Sequence, residues 1–387
     1  MVSVAGTNGK GSSVAMLESI YRRGGYRVGS YTSPHLVRYN ERVKIDGVCA
    51  SDEELCRAFE RVEDARANIP LTYFEFGTLA ALLVFRAREV QVAVLEVGLG
   101  GRKDAVNVLD ADLALVASVG IDHTQWLGTT RDAIGREKTG IFRSARPAVC
   151  ADPHPPSCIA ERAASIGAEL WQLGRDFGYE TAAADWSWWA RHGDRGLEVR
   201  YDRLPPPPLR GDRQIENAAG VLMAVTALRH RLSVDNEALR EGLSNASLHG
   251  RLQVIPGPPL QVLDVAHNPE AIDTLRRFLR AQPCAGRTIA VFAALADKPV
   301  REMARLLSDV VHAWHVAGLD VERGMSRAQV RRHVEAVAQD APVSDHENAA
   351  AAYSVALEQA SRDDRIVVFG SFYTVGAIIA VLNTAGA

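Results

Sequence analysis

The feature that most limits the fold of this chain is a repeated alternation of short, β-branched apolar runs with amphipathic segments. This alternation is typical of βαβ units, in which helices cover the faces of a mostly parallel sheet, and it predicts an α/β protein. In the first part of the chain the predicted strands are VSVA, YRVGSY, VAVLEVG, LALVASVG and PAVCA, and the predicted helices are Lys10 to Arg23, Ser51 to Ala67, Thr72 to Arg88 and Thr130 to Phe142.

A second series of the same kind begins at Leu260 and predicts a separate, Rossmann-like domain. Its first strand, LQVLDVA, is not followed by the GxGxxG pattern, so no dinucleotide cofactor is indicated. The later predicted strands are TIAVFAAL, VVHAWHVAGL and RIVVFGS, and helices are predicted from Pro269, Val300 and Ser326 and after the last strand.

The boundary between the domains is predicted in LHGRLQVIPGPP, where glycine and proline interrupt the chain without regular periodicity. We therefore expect residues 1–250 to form the first domain, 251–258 to form a hinge and 259–387 to form the second domain. A less regular segment at about 170–204, which contains DWSWWARHGDRGLEVRYD, predicts a small antiparallel elaboration of the first domain.

Charge and cysteine content argue against several classes of protein. The chain has 44 Lys and Arg against 47 Asp and Glu, and it lacks a basic run, so nucleic acid is not an expected partner. Its five cysteines are scattered without ligand spacing, which is typical of a reduced, cytoplasmic protein. We expect no membrane span, because no apolar run approaches about 20 residues, and the first residues do not resemble a signal peptide.

The segment GTNGKGS follows the first predicted strand directly and opens the first helix. Backbone N–H groups in such a glycine-rich turn can surround a phosphate, with Lys10 as an additional positive charge. The match to GxxxxGK[ST] is imperfect, because Val4 stands at the first glycine and Gly11 separates Lys10 from Ser12. The alternative interpretation is a glycine-rich turn without a ligand, and we favour phosphate binding because a strand precedes the turn and a helix follows it.

Two predicted parallel strands end, at one edge of the sheet, in polar groups that can bind a metal ion. LEVGLGG delivers Glu96 to a strand end, and VGIDHTQWLG delivers Asp122 and His123 to another. A carboxylate at that edge can hold Mg²⁺ beside phosphates. The alternatives are a solvated glutamate and a structural histidine. Lys138, in REKTGIF, is interpreted from the residues alone as a surface lysine.

In the second domain, DVAHNP ends a predicted strand in Asp264, His267 and Asn268, where an α/β domain presents polar groups to a ligand. Arg251 lies in the predicted hinge, where its guanidinium can reach phosphates. An exposed hinge arginine without a ligand is the alternative interpretation.

Taken together and in this order, these motifs closely resemble the folylpolyglutamate synthase and dihydrofolate synthase family, within the Mur ligase-like amide-bond-forming enzymes. The resemblance covers nearly the whole chain and is strongest to the bacterial bifunctional branch. The stretches that carry it are GTNGKGS, TSPHLVRYNER, LTYFEFGTLAAL, LEVGLGGRKDAVNV, DHTQWLG, REKTGIF, IENAA, GRLQ, DVAHNP, ALADK and GSFYTV.

The resemblance implies a three-layer, P-loop ATPase domain and a C-terminal Rossmann-like domain, with ATP in the cleft between them. It implies Mg²⁺, with two ions expected, bound through Ser33, Glu96 and His123, and a carbamylated Lys138. Lys10, Glu96, His123 and Lys138 form the implied catalytic set. The implied nucleotide contacts are Gly6, Thr7, Asn8, Gly9, Lys10, Gly11, Ser12, Asn217, Arg251, Asp264 and His267, and the implied folate contacts are Thr72 and Phe74.

The implied reaction is the ATP-dependent addition of L-glutamate to dihydropteroate, to reduced folates, or to both, through an acyl phosphate. We expect a monomer that acts on these small molecules. A cell-wall Mur-type ligase and a nucleotide-binding module without catalysis are the alternatives. The sequence departs from the family at Lys103, His249 and Pro299, and its first strand begins at Met1, where the family carries a helical segment ahead of that strand.

Overall fold

The computed structural model describes residues 1–192, 197–338 and 340–385. The chain divides into two compact units, and each is described by itself. The first comprises Met1–His35, Tyr39–Leu209 and Arg213–Leu248, and the second comprises Leu36–Arg38, Arg210–Asp212 and His249–Ala387. The predicted α/β class, with a mostly parallel sheet and a second α/β unit, is confirmed.

The first unit is built on an eight-stranded sheet. Its strands are β1 (Val2–Ala5), β2 (Val28–Tyr31), β3 (Val43–Ile45), β4 (Val48–Cys49), β5 (Val92–Glu96), β6 (Leu113–Val116), β7 (Pro147–Cys150) and β8 (Glu169–Gln172). Their order across the sheet is β4-β3-β2-β5-β1-β6-β7-β8, and only the pairings of β3 are antiparallel. The carboxyl ends of β2, β5, β1 and β6 therefore meet at one edge of the sheet.

Helices cover both faces of this sheet. Side chains alternate along each strand, so Val2 and Val4 of β1 face one core and Ala5 faces the other. The helices are α1 (Lys10–Arg23), α2 (Asp52–Arg66), α3 (Tyr73–Ala87), α4 (Thr124–Leu127), α5 (Arg131–Lys138), α6 (Cys158–Ile166), α7 (Gln214–Ala227) and α8 (Asn236–Ser244). One core is formed with α1, α7 and α8, and the other with α2, α3, α5 and α6.

The predicted antiparallel elaboration is a three-stranded sheet of β9 (Phe177–Thr181), β10 (Trp186–His192) and β11 (Leu197–Leu204). Its Trp188 is fully buried, and the indole N–H donates to the carbonyl of Ala219 on α7 at 3.1 Å. A buried tryptophan requires such a partner for its N–H group, and the contact attaches the small sheet to the first unit.

The second unit holds a six-stranded sheet in the order β12-β13-β17-β14-β15-β16. Its strands are β12 (Gln253–Ile255), β13 (Leu260–Asp264), β14 (Thr288–Phe292), β15 (Ala313–Ala317), β16 (Val343–His346) and β17 (Arg365–Phe369). Its helices are α9 (Pro269–Ala281), α10 (Val300–Leu307), α11 (Arg327–Glu335), α12 (Ala349–Gln359) and α13 (Phe372–Ala385). The segment 251–258, predicted as an irregular hinge, contains β12, which pairs antiparallel with β13.

Several elements were not predicted, including β3, β4, β8, β16, α6 and α12. The β3–β4 hairpin turns at Asp46 and Gly47, whose φ angles are 51° and 81°. A two-residue Asp-Gly turn of this kind is a strong local hairpin signal, so this element was recognisable from the sequence. Within the described ranges, no helix combines the length and apolar character that crossing a membrane would require.

Candidate active site

The predicted phosphate loop lies between β1 and α1 and is fixed to the loop that follows β6. The backbone N–H of Thr7 donates to the carbonyl of Ser118 at 2.8 Å, and the Thr7 hydroxyl donates to the carbonyl of Gly120 at 3.0 Å. The Ser118 hydroxyl both accepts from the N–H of Asn8 and donates to its carbonyl, each at 3.0 Å. These bonds give the loop one conformation, and Ser118 is a supporting residue that the sequence analysis missed.

Gly9 and Asn217 lie against each other at the start of α1. Gly9 has a φ of 84°, a left-handed conformation that favours glycine, and a Cβ added there would collide with the side-chain oxygen of Asn217. Asn217 is buried on α7, and its amide donates to Gln214 at 3.2 Å. The structure therefore brings two predicted nucleotide contacts together, although they are distant in sequence.

The side chain of Lys10 folds back over the loop. Its Nζ donates to the carbonyl of Gly6 at 2.9 Å and to that of Thr7 at 3.2 Å. Gly11 and Ser12 follow in the first turn of α1, where both are buried. This arrangement places a cation beside the backbone N–H groups at the helix start, which is the composition of an anion site.

Glu96 and Ser33 are brought together at the ends of β5 and β2. The Glu96 side chain is 5% exposed, and its Oε2 accepts from the backbone N–H of Ser33 at 3.2 Å. A Cβ at Gly11 would lie 3.9 Å from the same oxygen. A buried carboxylate therefore lies next to the first turn of α1 and to the Ser33 backbone.

His123 precedes α4 and has a left-handed backbone, with a φ of 50°. Its N–H donates to the carboxylate of Asp122 at 2.7 Å, and its ring Nε2 lies 3.9 Å from that carboxylate. The ring is one-third exposed. Its carbonyl also accepts from the N–H groups of Trp126 and Leu127 in α4. The place of the His123 ring beside Glu96 stays a prediction.

Lys138 ends α5 and is 3% exposed, so the interpretation of a surface lysine is wrong. Burial, with a smaller contribution from the charge of Lys10, lowers the pKa of Lys138 to about 7, while Asp122 acts in the opposite direction. A lysine with this pKa is largely neutral slightly above pH 7 and is therefore nucleophilic.

The turn between β5 and the short helix Ala105–Val108 packs against the end of α5. A Cβ at Gly101 would lie 2.8 Å from the carbonyl of Glu137, and the N–H of Arg102 donates to that carbonyl at 2.9 Å. Arg102 also forms an ion pair with the Glu137 carboxylate at 2.9 Å. Close packing of glycine thus couples the Glu96 loop to the helix that carries Lys138, while Lys103 stays exposed in the turn.

Asp104 is a second residue that the sequence analysis missed. Its carboxylate accepts from the N–H groups of Leu99 at 2.9 Å and Val106 at 3.0 Å, so it shapes the loop after Glu96. Burial raises the pKa of Asp104, although these N–H donors and the charge of Lys10 oppose the shift. The signal was present in GGRKDAVN, where an acidic residue follows a glycine turn.

Thr72 and Phe74, the predicted folate contacts, lie at the start of α3 and differ in their surroundings. The Thr72 hydroxyl accepts from the N–H of Glu75 at 3.3 Å and caps the helix. Phe74 lies over Gly98, where a Cβ would be 2.6 Å from its ring, and its centroid is 5.8 Å from that of Tyr31. Phe74 is thus at the strand ends that carry Glu96 and Ser33, whereas the described contacts of Thr72 are capping bonds.

In the second unit, Arg251 and His267 both lie near the ring of Phe372. The guanidinium carbon of Arg251 is 5.5 Å from the ring centroid, and the His267 ring is 6.2 Å from it. Asp264 is 7% exposed and accepts from the N–H groups of Leu252 at 3.0 Å and Ala266 at 2.7 Å. Burial raises the pKa of Asp264, opposed first by the charge of Arg251.

Comparison with known proteins gives this geometry a family context. The Mur ligase middle domain matches residues 4–225, and the Mur ligase glutamate ligase domain matches residues 250–372. The dihydrofolate synthase/folylpolyglutamate synthase of Escherichia coli (strain K12) is 41% identical over 381 residues, covering 98% of this chain and 86% of the relative. The chain belongs to the dihydrofolate synthase/folylpolyglutamate synthase family. The protein of that name from Haemophilus influenzae is 36% identical and covers 99% of this chain and 89% of its own.

Solved structures of dihydrofolate synthase/folylpolyglutamate synthase proteins agree with this membership. E. coli FolC in complex with DHPP and ADP matches with a TM-score of 0.92 and 40% identity, covering 100% of this chain and 89% of its own. A bifunctional folylpolyglutamate synthase/dihydrofolate synthase with Mn, AMPPNP and L-glutamate bound matches with a TM-score of 0.90 and 40% identity, covering 99% and 89%.

For this member of the dihydrofolate synthase/folylpolyglutamate synthase family, the donor atoms present suit a hard divalent cation. A Glu96 carboxylate next to Ser33 offers oxygen donors of the kind that Mg²⁺ and Mn²⁺ prefer. Among the described residues, no group of three or more His, Cys, Asp or Glu side chains is arranged to hold a metal. Mg²⁺ requires only a few protein ligands, because phosphates and water complete its coordination shell.

Proposed function

We propose that this protein is an ATP-dependent ligase that adds L-glutamate to dihydropteroate, to the γ-carboxylate of reduced folates, or to both. The observation that carries the proposal is the grouping, in one unit, of a fixed phosphate loop with Lys10, a buried Glu96 beside Ser33, and a buried Lys138. The family membership supports the same chemistry.

The phosphate loop holds the β- and γ-phosphates of ATP in this proposal. Backbone N–H groups at the start of α1 and the ammonium of Lys10 supply positive potential without moving, since the N–H groups of Thr7 and Asn8 already bind Ser118 and fix the loop. Asn217, Arg251 and His267 supply the other nucleotide contacts. Asp264 contributes to the same nucleotide site by shaping the two backbone segments that hold Arg251 and His267, through its bonds to Leu252 and Ala266.

We assign Ser33, Glu96 and His123 to Mg²⁺, with two ions in the loaded enzyme. Bound Mg²⁺ neutralises charge on the phosphates as it develops during transfer. Lys138 becomes a carbamate when its neutral amine attacks CO₂ and releases a proton, which converts a buried cation into an anion. The low pKa of Lys138 makes the neutral amine abundant near pH 7.

The reaction then has two chemical steps. The acceptor carboxylate attacks the γ-phosphorus, ADP leaves, and an acyl phosphate forms. The amino group of L-glutamate attacks the acyl carbon, phosphate leaves, and the amide forms. Thr72 and Phe74 hold the pteridine end of the acceptor in this proposal, and Lys10 and Glu96 keep the reacting groups aligned. Exclusion of water protects the acyl phosphate from hydrolysis.

The experiment that tests this function is phosphate release from Mg-ATP with L-glutamate and dihydropteroate, tetrahydrofolate, a UDP-sugar peptide or no acceptor. The acceptor carboxylate carries ¹⁸O. Turnover that requires a pteroyl acceptor and glutamate, with one ¹⁸O per turnover in the released phosphate, is expected. Turnover only with the UDP-sugar peptide supports a Mur-type ligase, and nucleotide binding without turnover supports an inactive binding module.

The remaining parts of the proposal concern setting and organisation. We propose a cytoplasmic monomer that acts on small molecules, with neither nucleic acid nor membrane as partner. We also retain the predicted division into residues 1–250 and 259–387, with 251–258 as the hinge. Sedimentation at several concentrations tests the monomer, and limited proteolysis followed by mass spectrometry tests the boundary.

A further inference from the structure

Arg42 is a buried cation at the end of the short helix Tyr39–Arg42 in the first unit. It is 8% exposed, and its Nε–H donates to Nδ1 of His35 at 2.9 Å. Its guanidinium carbon lies 5.4 Å from the ring centroid of Tyr39 and 5.3 Å from that of Tyr73. The charge of Arg42 also acts on the Tyr31 hydroxyl. One nitrogen and two aromatic rings thus fix the plane of the guanidinium.

The charge of Arg42 has no acidic partner among the described residues. Among residues 1–192, 197–338 and 340–385, no ion pair includes Arg42. Its side chain contacts His35, Tyr39 and Tyr73, and its charge acts on Tyr31. Removal of a cation from water is unfavourable unless an anion or strong acceptors replace the water. Tyrosine faces offset this only in part. Such a group is suited to an anionic ligand.

The position of Arg42 indicates which anion. Tyr31, on whose hydroxyl the Arg42 charge acts, lies against Phe74, which we assign to the pteridine end of the acceptor. His35, its hydrogen-bonding partner, follows Ser33 by two residues, and the Ser33 N–H donates to Glu96 at the reacting end. Arg42 therefore lies among residues that lead from the pteridine contact to the reacting carboxylate.

We propose that Arg42 is a specificity-determining residue that pairs with the α-carboxylate of the glutamyl residue in a reduced-folate acceptor. This inference rests on the proposed function. A reduced folate carries an α-carboxylate beside the reacting γ-carboxylate, whereas dihydropteroate has the reacting carboxylate alone. The planar guanidinium matches a carboxylate with two parallel hydrogen bonds, which a lysine ammonium cannot reproduce. Arg42 thus selects between the two acceptors, and the phosphates are left to Lys10 and the loop.

The test compares kcat/KM for dihydropteroate and for tetrahydrofolate in the full chain and in Arg42→Gln. Loss of a hydrogen-bonded charge pair is expected to lower the ratio of tetrahydrofolate to dihydropteroate use by roughly 10- to 100-fold, mainly through KM. Arg42→Lys is expected to restore part of that loss. Arg88→Gln is the matched control, because Arg88 is an exposed arginine that pairs with Glu54.

An acceptor analogue makes the test specific to one carboxylate. In this analogue 4-aminobutyrate replaces the glutamyl residue of tetrahydrofolate, which keeps the reacting carboxylate and removes the α-carboxylate. The unsubstituted protein is expected to use the analogue roughly 10- to 100-fold less well than tetrahydrofolate, whereas Arg42→Gln is expected to use both equally. Tyr73→Leu, at a side chain that is 64% exposed, is expected to shift the ratio in the same direction if Arg42→Gln does not fold.

The inference would be overturned if Arg42→Gln still used the analogue less well than tetrahydrofolate, because the two losses would then be independent. It would also be overturned if Arg42→Gln lowered kcat/KM equally for tetrahydrofolate and dihydropteroate. Use of dihydropteroate but not tetrahydrofolate by the unsubstituted protein overturns the inference and leaves the synthase function standing. Use of neither acceptor overturns the proposed function and the inference together. Each outcome is read against thermal midpoints, which show whether a variant is folded.

Discussion

Glu96 in the first unit and Asp264 in the second occupy the same place in two similar sheets. Each ends a buried parallel strand, and each side chain is less than one-tenth exposed. Glu96 accepts from the N–H of Ser33, at the end of a neighbouring strand, so its carboxylate lies toward the shared edge of the sheet. Asp264 accepts from Leu252 and Ala266 with both oxygens, so its carboxylate supports its own backbone. An acidic residue at a strand end therefore does not by itself indicate a ligand; its hydrogen-bonding partners do.

The largest effect that this comparison predicts is the loss of turnover in Glu96→Gln. Glutamine keeps the size and an oxygen that can accept from Ser33, but it removes the negative charge that a divalent cation requires. We expect phosphate release to fall by more than about 100-fold, since even supporting residues of metal sites contribute about 10- to 100-fold. The thermal midpoint is expected to change little. Near-normal turnover in a folded Glu96→Gln protein would show that Glu96, like Asp264, supports only the backbone.

The next largest effect concerns stability and Lys138, which extends the comparison to a buried cation. The folded-state pKa is about 7, whereas an unfolded lysine titrates at 10.5. Below pH 7 Lys138 is protonated in both the folded and the unfolded state, so the buried cation destabilises the folded state fully. This destabilisation declines from pH 7 to 10.5, and above pH 10.5 it is absent. Lys138→Met is therefore expected to raise the free energy of unfolding by on the order of 4 kcal/mol at pH 6, and by less than about half of that at pH 9.

Urea unfolding at pH 6, 7.5 and 9 in CO₂-depleted buffer measures this dependence. Lys103→Met is the control, since Lys103 is exposed, and no pH-dependent gain is expected there. A gain in Lys138→Met that is the same at all three pH values would contradict the low pKa. In ¹³C-bicarbonate, the unsubstituted protein is expected to show a carbamate NMR signal that Lys138→Met lacks.

The sequence predicted most strands and helices because local and global signals agree in them. The helix Lys10–Arg23 has the predicted bounds, since glycines precede it and Gly24 follows it. Lys138 was misinterpreted although the pattern was informative: Ile134 and Lys138 share one face of α5, Ile141 follows in a 3₁₀ turn, and both isoleucines are buried. The general preference of lysine for the surface outweighed this periodicity in the interpretation.

Other features depended on contacts that no local pattern contains. Ser118 fixes the loop at Asn8 across 110 residues of sequence, and Asn217 meets Gly9 only after α7 has packed on α1. Segments 36–38 and 210–212 belong to the second unit although neighbouring residues on both sides belong to the first. Such assignments follow from tertiary packing, so composition and periodicity do not predict them.

A smaller effect tests whether Asn217 restricts the phosphate loop at Gly9, in contrast to a glycine turn without such a neighbour. Gly9 and Gly25 have nearly equal φ angles of 84° and 83°, but a Cβ at Gly9 collides with Asn217, whereas none of the surroundings lies within 4 Å of one at Gly25. Both alanine variants bear a backbone strain of about 1–2 kcal/mol. Gly9→Ala is expected to lose about 1–3 kcal/mol more, and to bind ATP at least about 10-fold more weakly. If Gly9→Ala and Gly25→Ala lose the same free energy of unfolding in urea and bind ATP equally well, then Asn217 does not restrict the loop.

The smallest effect is expected for Asp264→Asn, and it completes the comparison with Glu96. Both Asp264 oxygens accept from N–H groups, so asparagine leaves one N–H facing an amide N–H₂. Burial of the Asp264 charge is unfavourable and raises its pKa, so removal of that charge offsets part of the lost hydrogen bonding. We therefore expect the free energy of unfolding to fall by about 1 kcal/mol. Turnover is expected to change by less than about 10-fold, because the carboxylate acts through the loops of Arg251 and His267. If Asp264→Asn instead abolishes turnover while urea unfolding is unchanged, then the nucleotide meets this carboxylate directly, and the two strand-end acids perform the same kind of task.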